Sequence, residues 1–206
     1  MRTWHIFAGG VIRDTGFIRI YSDEKVICAD GGLRYAQSIG VTPDILVGDF
    51  DSYKGAVPRG PELHVSRPEK DDTDTMLAVK IAIDRGAEKI VLYGALGARF
   101  DHTMANIQTL VYAHKHGCEM VIADSDNEIT VQGAGVRSYP ERKGWYFSVF
   151  ALDGEADIEY MRGVKYPLED YRLSSGFPLG VSNEITAGAA EVSVRSGLLL
   201  VVRSEK

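Results

Sequence analysis

Residues 1–125 alternate short apolar runs with helical patterns, and this alternation limits the possible folds more than any other feature of the chain. Apolar runs without polar alternation are typical of strands that are buried on both faces. Strands of this kind, separated by helices, predict an α/β fold with a mostly parallel sheet and flanking helices on both faces. The predicted strands are Thr3 to Gly9, Lys25 to Asp30, Asp44 to Asp49, Glu62 to Ser66, Lys89 to Gly94 and Glu119 to Asp124, and the predicted helices are Leu33 to Ile39, Thr73 to Arg85 and His102 to His116.

The pattern changes at about Asp126. Residues 126–206 carry no strong helical period but many short β-prone runs, such as "GWYFSVFAL" and "LLLVVRS", separated by Gly, Pro and Asp-Gly turns. Such a pattern favours antiparallel β structure. We therefore predict two domains, residues 1–125 and residues 126–206, the second being a smaller all-β sandwich.

Charge and hydropathy exclude several classes of protein. The chain has 23 Lys and Arg against 29 Asp and Glu, a net charge of −6, so it offers no basic surface for nucleic acid or for an anionic membrane. No uncharged run approaches the roughly 20 residues of a membrane span, and the start lacks a secretion signal. Cys28 and Cys118 lie in apolar stretches, which predicts buried, unpaired thiols. These features predict a cytoplasmic protein.

Four polar clusters follow predicted strands of the first domain. In open α/β sheets, ligands bind in the crevice at the carboxyl ends of the strands. The clusters are therefore expected to lie near one another. They are Ala29 to Gly32, Gly48 to Ser52, Lys70 to Asp74 and Gly94 to His102.

Asp49 and Asp51 end the third strand with two carboxylates one residue apart. Alternate residues of an extended segment share a face, so the two carboxylates repel each other at neutral pH. A divalent metal would offset this repulsion, and a solvated polar turn is the alternative. Oxygen ligands without His or Cys favour Mg²⁺, which takes one or two carboxylates and completes its shell with water and phosphate.

The cluster "KDDTD" has two interpretations. Asp71, Asp72 or Thr73 would cap the helix that follows, because their side chains accept hydrogen bonds from free backbone N–H groups. A cap uses only one side chain, whereas Asp71, Asp72 and Asp74 are three acids within four positions. The nearby acids of "GDFDS" favour the functional interpretation.

"ADGG" and "GALGARFDH" also have two interpretations each. Asp-Gly-Gly is a common turn, or its glycines let a nucleotide approach the backbone. Arg99 either binds phosphate oxygens or pairs with Asp101, which is also placed to cap the next helix. The chain has no GxxxxGK[ST] and no GxGxxG motif. Phosphate must therefore be held by metal, Arg and scattered backbone groups, which predicts a magnesium-dependent reaction on a phosphate compound.

The ordered motifs "CADGG", "PDILVGDFDS", "KDDTD", "GALGARFDHTMANI" and "GVSNE" resemble those of the thiamine pyrophosphokinase family in its short bacterial form. The resemblance implies a Rossmann-like catalytic domain for ATP and Mg²⁺, followed by a β-sandwich that binds thiamine. It further implies a homodimer with composite sites, in which the diphosphoryl group of MgATP passes to the thiamine hydroxyl.

Residue by residue, the resemblance implies four sets of site residues. The metal ligands are Asp49, Asp51 and Asp74, which together with Arg99 form the catalytic set. The nucleotide-binding residues are Asp30, Gly31, Gly32, Thr73, Arg99 and Asp101. The thiamine-binding residues are Asp71, Asp74, Ser182 and Asn183. Two alternatives stay open, namely a related diphosphokinase acting on a hydroxymethyl pterin and a non-catalytic sensor of thiamine or nucleotide with the same fold.

Overall fold

The computed structural model describes residues 1–49, 55, 57–65, 72–97 and 99–206. The chain divides into two compact units, Met1–Ser125 and Asp126–Lys206. Within the described ranges, no helix is both long and apolar enough to cross a membrane. Both cysteines are free and buried, as their apolar surroundings predict.

The first unit is built on parallel strands in the order β4-β3-β2-β1-β5-β6. Its strands are β1 (Thr3–Phe7), β2 (Lys25–Ala29), β3 (Ile45–Val47), β4 (Glu62–His64), β5 (Lys89–Tyr93) and β6 (Glu119–Ala123). Its helices are α1 (Leu33–Ser38), α2 (Asp74–Asp84) and α3 (Phe100–Lys115), and a 3-10 helix, Asp30–Gly32, precedes α1.

Both faces of the central strands are buried. One face belongs to a core cluster that includes Leu33 and Ala36 of α1 together with strand residues Phe7, Cys28, Leu46 and Tyr93. The neighbours of these strand residues, Ile6, Ile27, Ile45 and Leu92, are also buried and point the opposite way, because side chains alternate along a strand. Helix α2 contacts β1, β2 and β3. The predicted parallel sheet with flanking helices is confirmed.

The helix ends follow local sequence signals. Thr73 is the N-cap of α2, and its Oγ1 accepts the N–H of Met76 at 3.1 Å. Gly86 and Gly117 directly follow the C-caps of α2 and α3 with φ of 81° and 72°. Only a glycine adopts this left-handed conformation without strain. Helix α3 begins at Phe100, earlier than the predicted His102.

The second unit contains two antiparallel sheets, with strand orders β7-β13-β9 and β11-β10-β12-β8. The strands are β7 (Asn127–Gln132), β8 (Gly135–Pro140), β9 (Trp145–Ala151), β10 (Glu155–Arg162), β11 (Leu168–Ser174), β12 (Ala189–Ser196) and β13 (Leu199–Glu205). Strand β7 was not predicted, although "NEITVQ" carries the β-branched residues that identify it.

The core of the second unit lies between its two sheets. Phe147 and Val149 of β9 and Val201 of β13 join one cluster with Ile158 of β10 and Val192 of β12. Facing sheets that bury alternate side chains against each other form a sandwich. The predicted β-sandwich is confirmed.

Candidate active site

The order of the strands places a ligand crevice at one point of the first sheet. Strands β2, β3 and β4 lie on one side of β1, whereas β5 and β6 lie on the other. The order in which strands are added to the sheet therefore reverses between β1 and β5. In an open α/β sheet the ligand crevice lies at the carboxyl ends of such a pair of neighbouring strands. Gly9 and Gly10 follow β1 there, and Gly94 follows β5.

The glycines after β1 and β5 allow two backbone segments to approach each other closely. The N–H of Gly10 donates to the carbonyl of Gly94 at 3.0 Å. A Cβ on Gly10 would lie 2.2 Å from that carbonyl oxygen, and a Cβ on Gly94, whose φ is 65°, would lie 2.5 Å from the oxygen of Ala8. Sequence reasoning missed Gly9 and Gly10, although "AGG" directly after an apolar run is a recognisable signal.

The predicted nucleotide loop, Asp30–Gly32, lies beside this point. A Cβ on Gly32 would lie 1.9 Å from the carbonyl oxygen of Phe7, so this glycine is required for the helix to approach β1. A Cβ on Gly31 would lie 3.7 Å from Gly9 Cα, which is an ordinary van der Waals distance. Of the two glycines, Gly32 therefore serves the packing of the fold, and Gly31 leaves room for a ligand near the backbone.

Asp30 reaches the end of the neighbouring strand β3. A Cβ on Gly48, whose φ is 135°, would lie 2.2 Å from Asp30 Oδ1. Asp30 itself has a φ of 46°, which is uncommon for a residue other than glycine and is often found at functional sites. The structure thus brings Asp30 against the turn that carries the exposed Asp49. Asp51, the second acid of this motif, lies outside the described residues.

The polar residues of "KDDTD" that the structure describes differ in their roles. Lys80 donates to both oxygens of Asp72, at 2.8 and 2.6 Å, and Thr73 caps α2. Thr73 therefore has a structural role as the helix cap, and Asp72 has one as the partner of Lys80. Asp74 is the first residue of α2 and is half-buried at the positive end of the helix. Asp71 lies outside the described residues.

Arg99 and Asp101 form an exposed ion pair. Arg99 donates through Nε and Nη2 to the two oxygens of Asp101, at 3.1 and 2.5 Å. The Arg99 guanidinium lowers the pKa of the Asp101 carboxyl, and Asp101 in turn raises the pKa of Arg99. Arg99, rather than Asp101, occupies the N-cap position of α3, yet Asp101 accepts the His102 N–H at 2.9 Å. An exposed pair of this kind is weak, so a phosphate ligand can compete for Arg99.

Asn106 holds the loop after β5 against α3. Its side chain is buried, and Nδ2 donates to the carbonyl of Ala95 at 2.8 Å. Sequence reasoning missed this residue. A polar side chain on the apolar side of an amphipathic helix is the signal that identifies it.

The two residues predicted in the second unit differ in their surroundings. Asn183 is buried, with Oδ1 accepting the N–H groups of Tyr166 and Glu184 and Nδ2 donating to the carbonyl of Tyr166. Ser182 is exposed, has a φ of 58°, and donates its backbone N–H to Ser148 Oγ at 2.9 Å. Asn183 therefore shapes the loop, whereas Ser182 presents its side chain to solvent.

A largely buried polar network links His5 of β1 and Tyr93 of β5 to Glu24, the residue before β2. His5 Nε2 is 2.9 Å from Glu24 Oε2, and His5 Nδ1 is 3.1 Å from the Tyr93 hydroxyl. Because a carboxylate only accepts, Nε2 carries the proton and Nδ1 accepts from Tyr93. Burial lowers the pKa of His5, although its hydrogen bond to Glu24 opposes the shift. His5 is therefore neutral in the folded protein at neutral pH.

The donor chemistry of the acidic turns suits Mg²⁺. Within the part of the chain that the structure describes, no three His, Cys, Asp or Glu side chains are grouped to hold a metal ion. Mg²⁺ does not need such a cage, because it usually binds one or two carboxylates together with water and substrate phosphates. Asp49 and Asp74 offer carboxylates of this kind.

Comparisons with known proteins find the same family in both parts of the chain. Residues 19–122 match the catalytic domain of thiamin pyrophosphokinase, and residues 136–199 match its vitamin B1 binding domain. The thiamine pyrophosphokinase of Bacillus subtilis is 30% identical over 99% of both chains. Thiamin pyrophosphokinase 1 of Caenorhabditis elegans is 26% identical over 79% of this chain and 71% of its own.

Solved structures show the same similarity. The crystal structure of thiamine pyrophosphokinase from Bacillus subtilis has a TM-score of 0.90 at 27% identity and covers all of both chains. That of the Geobacillus thermodenitrificans protein has a TM-score of 0.88 at 27% identity, covering 99% of this chain and 98% of its own. The chain belongs to the thiamin pyrophosphokinase family, whose members are enzymes that transfer pyrophosphate from ATP to thiamine.

Proposed function

We propose that this chain transfers the diphosphoryl group of MgATP to the hydroxyl of thiamine, producing thiamine diphosphate and AMP. The contact between Asp30 and the Gly48 turn carries this proposal, because it joins the nucleotide loop to the acidic turn at the carboxyl edge of the sheet. The catalytic and vitamin B1 binding matches in one chain support it as well.

In this proposal Asp49, Asp51 and Asp74 would hold Mg²⁺, which would neutralise charge on the phosphate oxygens. Residues 1–125 bind ATP and the metal, with Asp30, Gly31 and Gly32 lining the nucleotide loop. The half-burial of Asp74 at the start of α2 and the exposure of Asp49 after β3 support carboxylates that a cation can reach.

Arg99, Thr73 and Asp101 act on the ATP side. The exposed Arg99 exchanges its pairing with Asp101 for a phosphate oxygen when the nucleotide binds, since a solvated ion pair contributes little. Thr73 acts through the cap that fixes the first turn of α2. A guanidinium held in place stabilises the negative charge that develops on transfer without reorganising.

Residues 126–206 bind thiamine through Ser182 and Asn183. The exposed Ser182 side chain supports direct contact with the substrate, and the hydrogen bonds of Asn183 to the main chain of Tyr166 support a positioning role. From the first unit, Asp71 and Asp74 orient the thiamine hydroxyl, and one of them accepts its proton.

The reaction balances without a further reactant. The thiamine hydroxyl oxygen forms a bond to the β-phosphorus of ATP, and the bond from that phosphorus to the α,β-bridging oxygen breaks. The bridging oxygen leaves with AMP, and the hydroxyl proton passes to the carboxylate or to water. Positioning and charge stabilisation supply most of the acceleration in phosphoryl transfer.

We also propose a cytoplasmic homodimer with composite sites. The cytoplasmic location is supported by the need for ATP as a substrate. The dimer is supported by the family, and sedimentation should give a mass near twice 22.6 kDa. A monomer that retains full activity would overturn the composite sites.

The deciding experiment measures AMP release from ATP. Release should require both thiamine and Mg²⁺ and should stop when EDTA is added. Asp49→Asn and Asp51→Asn should each reduce the rate by about 100-fold or more. Asp153→Asn, which changes an acid in a turn of the second unit, is the control and should leave the rate unchanged.

The alternatives give different outcomes. Turnover of a hydroxymethyl pterin but not of thiamine would indicate a related diphosphokinase. Binding of thiamine and ATP without AMP release would indicate a sensor. Full activity of Asp49→Asn would refute the metal assignment.

A further inference from the structure

Arg34 lies at the crevice between β1 and β5, although no motif singles it out. It is the second residue of α1, and its Nη2 donates to the carbonyls of Gly9 and Gly10 at 3.2 and 3.1 Å. The N–H of Gly10 also donates to the Gly94 carbonyl, at the point where the strand order reverses between β1 and β5. The guanidinium of Arg34 is therefore hydrogen-bonded to the Gly9–Gly10 segment that borders the crevice.

Tyr35 fixes this guanidinium in place. Its hydroxyl accepts from Arg34 Nη2 at 2.9 Å and from the Ile12 N–H at 3.0 Å, and it donates to the Gly10 carbonyl at 2.8 Å. The Arg34 guanidinium carbon also lies 4.6 Å from the centre of the Tyr35 ring. Arg34 is thus held on one side without being buried, since its side chain remains exposed.

The other side of the guanidinium has a different environment. Among the residues that the structure describes, Arg34 forms no ion pair, and all of its hydrogen bonds use Nη2. Arg99, the cation that the sequence motifs select, is instead engaged on two nitrogens by Asp101. A guanidinium has five N–H donors on three nitrogens, and none of these hydrogen bonds uses Nε or Nη1 of Arg34.

We propose that Arg34 binds the phosphate chain of ATP through its charge and the N–H groups that these contacts do not use, a role that rests on the proposed function. The N–H groups of a guanidinium form charge-assisted hydrogen bonds to phosphate oxygens, and a preorganised guanidinium loses little freedom on binding. Thiamine carries a permanent positive charge and is repelled by the same group, so Arg34 selects the anionic substrate at this position. Tyr35 acts as a positioning residue for Arg34.

Direct binding measurements test this role without turnover. Calorimetry with MgATP in the absence of thiamine, and separately with inorganic tripolyphosphate, should show about 10- to 100-fold weaker binding for Arg34→Gln. Arg34→Lys should lie between the glutamine variant and the wild type, because it keeps the charge and loses the planar set of five N–H donors. In steady state, Arg34→Gln should raise the KM for ATP and leave the KM for thiamine within about twofold.

Arg19→Gln is the matched control. Arg19 is also exposed, and its Nη1 donates to two carbonyls, those of Gly16 and Ile18, within its own turn. This substitution removes the same charge and the same kind of contact and should leave ATP affinity unchanged. An equal loss in both variants would show a general effect of net charge and overturn the proposal.

Two further results would also overturn it. Weaker binding of ATP with unchanged binding of tripolyphosphate would show that Arg34 does not contact phosphate. The other result is that Arg34→Gln and Tyr35→Phe lose the same ATP affinity and the same thermal stability. That result would show that Arg34 only tethers the loop and does not bind phosphate. If the wild type binds MgATP but releases no AMP with thiamine, the proposed function fails while the role of Arg34 in ATP binding stands.

Discussion

The side-chain amide of Asn183 holds the main chain of Tyr166 from both sides. Oδ1 accepts the Tyr166 N–H at 2.9 Å, and Nδ2 donates to the Tyr166 carbonyl at 2.8 Å. Asn183 is buried, whereas the Tyr166 side chain is exposed. The predicted thiamine loop is therefore anchored through a residue that acts on the backbone.

Asn183→Ala should lower the free energy of unfolding by about 2–4 kcal/mol, because it removes three hydrogen bonds of a buried side chain and leaves part-buried main-chain groups of Tyr166 and Glu184 without these partners. Denaturant unfolding measures this loss. Arg172→Ala, which removes an exposed ion pair to Glu155 in the same unit, should cost less than about 1 kcal/mol. Equal losses in the two variants would contradict the anchoring role of Asn183.

Ser182→Gly should separate stability from substrate binding. Ser182 has a φ of 58°, a conformation that costs an L-residue about 1–2 kcal/mol and that glycine adopts freely. We expect the glycine variant to gain up to about 1 kcal/mol of stability and to show a higher KM for thiamine, since it loses the exposed hydroxyl. A gain in stability with unchanged thiamine kinetics would exclude the Ser182 side chain from the thiamine site.

Gly31→Ala and Gly32→Ala should differ sharply, although the residues are adjacent. A Cβ at Gly32 would lie 1.9 Å from the Phe7 carbonyl oxygen, whereas one at Gly31 meets only Gly9 Cα at 3.7 Å. Gly32→Ala should lose at least about 3 kcal/mol of unfolding free energy or fail to fold. Gly31→Ala should stay within about 1 kcal/mol of the wild type and bind MgATP more weakly. Similar stabilities for the two variants would contradict this division of roles.

The stability of the protein should fall as the pH is lowered below 6.5. Burial lowers the pKa of His5 from 6.5, so at a pH between the folded and unfolded values only the unfolded chain takes up the proton. Unfolding is then favoured by up to about 1.4 kcal/mol per pH unit for this one group. The loss begins at the unfolded pKa and levels off below the folded one.

Glu24 adds a loss in the same direction at lower pH. Burial raises the pKa of Glu24, but hydrogen bonds from the Tyr21 N–H and from His5 outweigh this effect and lower it overall. The free energy of unfolding, measured by denaturant titration at several pH values between about 5 and 7, should depend less on pH in His5→Gln than in the wild type. His102→Gln, which changes an exposed histidine of the same unit, is the control and should keep the wild-type slope.

Much of the fold could be predicted because its signals are local. Continuous apolar runs in residues 1–125 and turn-punctuated β runs in residues 126–206 depend only on neighbouring residues. The helix cap at Thr73 and the stop at Gly86 are likewise read from a few positions. Strand β7 was missed because it lies at the predicted domain boundary, where the pattern changes from one type of fold to the other.

The candidate site was predicted less completely, because a motif does not show which of several possible partners a side chain takes in the folded chain. "KDDTD" does not reveal that Asp72 pairs with Lys80, and "DGGLR" does not reveal that Arg34 reaches Gly10. Arg99 and Asp101 supported two interpretations equally, and the structure shows them paired with each other.

The sequence by itself determined the types of the elements, the α/β and β-sandwich architectures and the family, because hydrophobic periodicity and ordered motifs are properties of the chain. Only the tertiary structure decided the strand order that places the crevice between β1 and β5, the approach of Asp30 to Gly48, and the position of Arg34. The physical reason is that these contacts join segments far apart in sequence, and packing and hydrogen bonding select among them only when the chain is folded.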